Sequence, residues 1–110
     1  MAGEDGKLAA HRALVDSVLH AEGRSSREDR ARAFDNVDVP PAVRELIGKV
    51  ATTPTAVTDA DYAGAKAAGF SEDQLFELVV CAAVGQSARQ YEAGLAALAE
   101  ATGEEATHEA

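Results

Sequence analysis

Few side chains in this sequence are suited to bond-making or proton-transfer chemistry. Cys81 is the one cysteine, so it is the only possible thiol nucleophile. It lies inside the apolar run LVVCAAV, where desolvation disfavours the thiolate and leaves a cysteine inert. A structural role is the expectation; a one-cysteine peroxidase would need Cys81 at an open cleft beside a base such as His11 or Arg89. Glu45 flanks an apolar face, and a general base there would need its pKa raised by burial. The competing expectation is a solvated Glu45 paired with Lys49 four residues on. Arg89, in the polar stretch QSARQYE, carries a planar fork that matches a carboxylate, in a pocket between subunits. An intersubunit salt bridge is the alternative. Glu45, Arg89 and Cys81 are therefore the candidate catalytic positions.

The histidines offer less. His11 lies on or beside the apolar stripe of the first helix and is expected at the core edge. His20 falls on the opposite face beside Asp16, as a surface pair, and the two histidines cannot ligate one metal from the same helix. His108 belongs to the C-terminal tail. No glycine-rich phosphate loop, serine nucleophile elbow or metal-ligand spacing is present. Neither a metal nor a cofactor is expected.

The elements that must position these residues are helical. Lys7 to Ala21 places His11, Leu14, Val15 and Val18 on one face, and Gly23 follows where a C-terminal glycine is favoured. Ser25 and Ser26 can cap a short second helix running to about Phe34. Pro40 and Pro41 open a third, where a missing N–H costs nothing, with Val43, Leu46, Ile47 and Val50 as its apolar face. Pro54 stops it. Thr58 starts a fourth helix with Asp59 and Asp61 at its positive end, and Gly69 closes it. Ser71 and Gln74 form a capping box for a fifth. From Leu78 to Val84 every residue is apolar, which predicts burial on all sides, by a central position or a subunit interface. Gly85 offers a bend or break before a last helix striped with Tyr91, Gly94, Leu95 and Leu98. The expected fold is an all-α bundle of about five to six helices, in one domain spanning 7–101. Flexible ends are expected over 1–6 and over the acidic tail 102–110.

Composition narrows the partners. The chain has 110 residues, no Trp and a formal net charge of −9. Abundant Ala and Gly let helices approach closely but bury little area each, which favours hiding further surface between subunits. The excess acid argues for solubility and against nucleic acid or an anionic membrane as partner. Arg24, Arg27, Arg30 and Arg32 cluster, but Glu28, Asp29 and Asp35 interleave with them, so a solvated mixed-charge segment is expected. There is no basic-then-apolar start of a secretory signal. No apolar stretch approaches the roughly 20 residues that span a bilayer. A reduced, cytoplasmic setting is the expectation.

The segment AGAKAAGFSEDQLFELVVCAAV resembles the glycine turn and serine-capped apolar helix of the alkylhydroperoxidase D-like (AhpD-like) / carboxymuconolactone decarboxylase superfamily. VRELIGKVA, with Glu45, is similar to the preceding family helix, whose Glu serves a proton relay in redox members. The likeness runs from Pro41 to Leu98. Redox members act through a Cys-x-x-Cys pair with a nearby His. Counting back from Gly69 puts those positions on Pro54, Val57 and Asp61; counting forward from Glu45 puts them on Val57, Ala60 and Gly64. Neither register holds a cysteine or a histidine, and Asp61 reads as an ordinary helix-start acid. A pair of sulfurs within bonding reach is therefore excluded within one subunit. The resemblance implies an AhpD-like helical fold, a homo-oligomer (trimer or hexamer), and a non-redox binding or accessory protein, whose partner would be another protein or a small carboxylate. Its alternative implication is a small acid/base enzyme of the decarboxylase kind, acting on a carboxylated lactone or related acid through Glu45 and Arg89.

Overall fold

The computed structural model describes residues 2–103, and among them every regular element is helical. The order is α1 (Ala2–His20), α2 (Arg27–Asp35), α3 (Pro41–Thr52), a single 3₁₀ turn (Pro54–Ala56), α4 (Asp59–Ala67) and α5 (Glu72–Thr102). The expected tail lies outside the described residues from position 104 on, and His108 with it.

Local signals set the helix starts. The Ser26 hydroxyl accepts from the Asp29 N–H at 3.0 Å and caps α2. Pro41 is the first residue of α3. At α4, the Asp61 carboxylate accepts from the Thr58 N–H (2.8 Å) and hydroxyl (3.1 Å). At α5, Ser71 and Gln74 exchange the two bonds of a capping box, at 2.9 and 3.1 Å. The Ser26, Asp61, Ser71 and Gln74 bonds satisfy backbone donors that a helix start leaves free, whereas Pro41 has no such donor to satisfy.

The core is formed by α2, α3 and the first half of α5. Val43, Leu46 and Ile47 of α3 meet Leu75, Leu78, Cys81 and Ala82 of α5, with Ala33, Val39 and Ala65 closing the sides. All of these are buried. α1 runs antiparallel to α5, since His11 meets Tyr91 while Val18 meets Cys81.

Several expectations are corrected here. Gly85 neither bends nor breaks the chain: α5 is one helix of 31 residues. A Cβ at Gly85 would overlap the Phe34 carbonyl oxygen and stand 2.7 Å from its carbon, so this glycine is needed for the close approach of α2. Leu14 is 51% exposed; the inward face of α1 instead falls on Leu8, His11, Val15 and Val18. The run from Leu78 to Val84 is not buried all round within one chain. Leu78, Cys81 and Ala82 are buried, Val79, Val80 and Val84 are half-buried, and Ala83 is exposed. Arg30 departs from its solvated segment and is buried. Its position shares a helical face with Ala33 and Phe34, and that spacing was the signal for it. No helix among the described residues is long and apolar enough to cross a membrane.

Candidate functional site

The α1–α2 connection and the start of α5 are tied by one carboxylate. Glu77 accepts from the N–H groups of Arg24 (2.9 and 2.8 Å) and Ser25 (2.7 Å), and from the Ser25 hydroxyl (2.6 Å). Gly23 leaves room for it, because a Cβ there would lie 2.8 Å from the carboxylate. Burial pushes the Glu77 carboxyl up, but the Ser25 and Arg24 hydrogen bonds and the Arg30 charge outweigh it and hold it below its ordinary 4.5. Arg30 donates to the carbonyls of Ala21 and Val18 (the latter at 3.5 Å), which are acceptors free at the end of α1. No motif of the sequence singles out Glu77. Its role depends on a loop more than fifty positions away, and no local signal carries that.

Cys81 sits beneath this junction at 1% exposure, its thiol donating to the Val18 carbonyl at 3.3 Å. Burial is the main reason its pKa is pushed up to about 11; Glu77 adds to the rise and Arg30 opposes it. At pH 7 such a thiol is ionised in only about one molecule in ten thousand, and the thiolate is the nucleophile.

Glu45 lies elsewhere, on the exposed side of α3. It stands 3.5 Å from Lys49, with its side chain 78% exposed. Lys49 is shared with Asp61 of α4 at 3.0 Å. The hydrogen bond to Asp61 is the largest cause of a Lys49 pKa above its ordinary value. The Thr58 N–H, followed by Lys49, holds Asp61 below its ordinary value. Asp61 thus caps α4 and pins it to α3.

Arg89 lines an open cleft of about 680 Å³ between α1, the end of α2 and the second half of α5. Its Nη1 donates to the Phe34 carbonyl at 2.7 Å and its Nη2 to Gln86 Oε1 at 3.1 Å. His11 stacks on Tyr91 in the same cleft, with ring centroids 4.6 Å apart and planes tilted by 37°. Asp16 and His20, 3.9 Å apart, stand on its α1 wall. Val15 and Leu95 make apolar walls. The tertiary structure therefore brings Arg89 together with His11, His20 and Tyr91, and leaves both Glu45 and Cys81 outside this cleft. Such a cleft, apolar walls with a few convergent polar groups, is suited to holding a small amphipathic molecule. Among the described residues no group of His, Cys, Asp and Glu is arranged to hold a metal ion.

Among the described residues, five α-helices enclose the one thiol in their core, while the convergent polar groups face an open groove. No protein-family model, curated protein or solved structure matches the chain.

Proposed function

We propose that this protein is a non-redox member of the alkylhydroperoxidase D-like / carboxymuconolactone decarboxylase superfamily, homo-oligomeric, and acts as a binding or accessory protein. Its ligand is a small organic acid, and its site is the cleft between α1 and α5. The observation that carries this reading is the separation of thiol from cleft. Cys81 is buried and hydrogen-bonded, while Arg89, His11 and Tyr91 converge on solvent-open space.

The groups divide the work of binding. Arg89 is oriented by its bonds to Phe34 and Gln86 and presents a cation toward the cleft. The His11–Tyr91 stack offers a flat face to an apolar or aromatic body. The acid/base reading with Glu45 and Arg89 draws less support, because Glu45 is solvated and stands outside the cleft. A peroxidase acting through Cys81 would need a thiolate where burial disfavours one.

Calorimetric titration with benzoate, succinate and acetate tests the proposal. Benzoate is expected to bind best, and Arg89→Ala to weaken it roughly tenfold to a hundredfold, the range for losing one charged hydrogen bond. Cys81→Ser should bind as the parent does. Hydroperoxide turnover lost in Cys81→Ser, or carboxylate binding indifferent to Arg89→Ala, would refute the reading.

A further inference from the structure

Little apolar surface holds α1 to the rest of the molecule. No residue from Gly6 to His20 is buried; Leu8, His11, Val15, Val18 and Leu19 are half-buried and the others are exposed. Among these, Val18 packs against the core cluster, whose buried members all come from Ala33 onward. The core is therefore complete without α1. Open space flanks the helix on two sides. The cleft of about 680 Å³ borders Leu8, Val15 and Leu19, and a hollow of about 130 Å³ borders Ser17, Val18 and Ala21. A segment with so few buried apolar contacts opens at lower free energy than the molecule as a whole. A free helix of 19 residues is marginal in water, so α1 loses much of its helix when it leaves.

The polar fastenings sit at the C-terminal end of α1. Arg30 Nη1 donates to the Ala21 and Val18 carbonyls, and Cys81 Sγ donates to the Val18 carbonyl. Arg30 Nε is buried with no acceptor among the described residues, a cost that solvent relieves once the end of α1 moves away. Just beyond, Glu77 holds the N–H groups of Arg24 and Ser25. The connection is thus fixed to α5 from Arg24 on, which leaves Ala21 to Gly23 as the hinge. Two features depend on α1 staying in place. The Cys81 thiol faces the α1 backbone, so α1 is its cover on that side. The cleft takes His11, Arg12, Val15 and Asp16 from α1 as one wall.

We propose that α1 is a hinged cover that leaves the α2–α5 core as one unit about Ala21 to Gly23, uncovering Cys81 and dismantling the cleft, and that a ligand in the cleft holds it shut. The opening stands on burial and hydrogen bonding; only the ligand's grip rests on the small-acid reading above. The two fail separately, because opening is measured without ligand.

In the full chain, Cys81 is its own reporter. At 1% exposure it reacts with N-ethylmaleimide only when uncovered. The labelling rate of the native protein, divided by that of the urea-unfolded chain, gives the opening constant. It is expected to exceed the global unfolding constant from urea denaturation by about tenfold or more. Ala10→Gly with Ala13→Gly, both exposed on α1 and away from the thiol, should quicken labelling roughly tenfold to thirtyfold through lost helix propensity. Ile47→Val, at a fully buried position of α3, should lower global stability and leave the labelling rate unchanged. Benzoate at ten times its dissociation constant should slow labelling of the parent about tenfold.

Labelling that quickens in Ile47→Val as much as its stability falls would overturn the proposal, since Cys81 would then be reached only through global unfolding. So would labelling indifferent to the two glycines. Benzoate that binds by calorimetry yet leaves labelling unchanged would overturn the ligand's grip on α1. The glycine and valine results as expected, with no benzoate binding at all, would leave the hinged helix standing and remove the ligand reading alone.

Discussion

The two halves of α5 are one continuous helix with opposite surroundings. From Glu72 to Ala88 it is the central element of the core, with Leu75, Leu78, Cys81, Ala82, Gly85 and Ala88 all buried. From Arg89 to Thr102 nearly every side chain is exposed, including Leu95 and Leu98. Hydrogen-bonded helix geometry and good helix formers such as Ala, Leu and Glu carry the backbone through both halves alike. What differs is the partner. The first half has α2 and α3 against it, whereas the second has α1 on one side and open space on the other. A helix is thus continued by its own residues, but stability comes from the faces that are covered.

Substitutions along α5 measure that contrast, and the largest effect belongs to its tightest point. Gly85→Ala places a methyl group into the backbone of Phe34. Because backbone cannot rotate away as a side chain can, we expect a loss of about 3 kcal/mol or more by urea unfolding, at or above the upper end for overpacked cores. An effect under roughly 1 kcal/mol would mean that α2 and α5 are not held this close. Next comes Leu78→Ala, whose side chain is 1% exposed; removing it should cost about 3 kcal/mol through lost burial and the cavity left behind.

Glu77→Gln follows, at about 1–3 kcal/mol, since the amide cannot accept from the Arg24 and Ser25 donors as the carboxylate does. The same residue sets a pH dependence. Its folded pKa is held below the ordinary 4.5, so its stabilisation is present above that value and is lost as pH falls through the depressed one. Asp61, also held below its ordinary value, acts in the same sense. Unfolding free energies taken between pH 7 and pH 3 should therefore decline toward the acid end, with a shallower decline in Glu77→Gln. A parallel decline in parent and variant would count against Glu77 as the titrating group.

The smallest effect is expected at Leu98→Ala. In dilute solution, with copies apart, it should change stability by no more than about 0.5 kcal/mol, as exposed positions do. Leu78 and Leu98 are the same residue on the same helix. Equal costs for the two, measured at low protein concentration, would abolish the distinction between the halves.

Much of the fold could be read without coordinates. The Ser26, Thr58 and Ser71 caps, Pro41 at the start of α3, and the Val43, Leu46 and Ile47 face are all local patterns within a turn or two of helix. Even the Glu45–Lys49 and His20–Asp16 pairs were legible, because four positions along a helix bring side chains together whatever the fold. The site was legible only in part. Arg89 and His11 could be picked as candidates, but their common cleft depends on α1 lying antiparallel to α5. Gly85 was misread because a glycine in a helix looks the same whether it bends the chain or admits a neighbour's backbone. Arg30 was misread because its charge masks a burial that only distant partners make tolerable, and Glu77 drew no notice because its partners are all distant in the chain.

The sequence by itself determined an all-helical chain with one buried thiol, capped helix starts and an excess of acid, since these follow from propensity, periodicity and composition. The tertiary structure alone decided that Gly85 sits on Phe34, that Glu77 ties the α1–α2 connection, and that Arg89 shares a cleft with His11 and Tyr91 while Glu45 does not. The physical reason is range. Capping and amphipathic spacing act over one or two turns of backbone, whereas burial of a charge or contact with a glycine depends on which helices pack together.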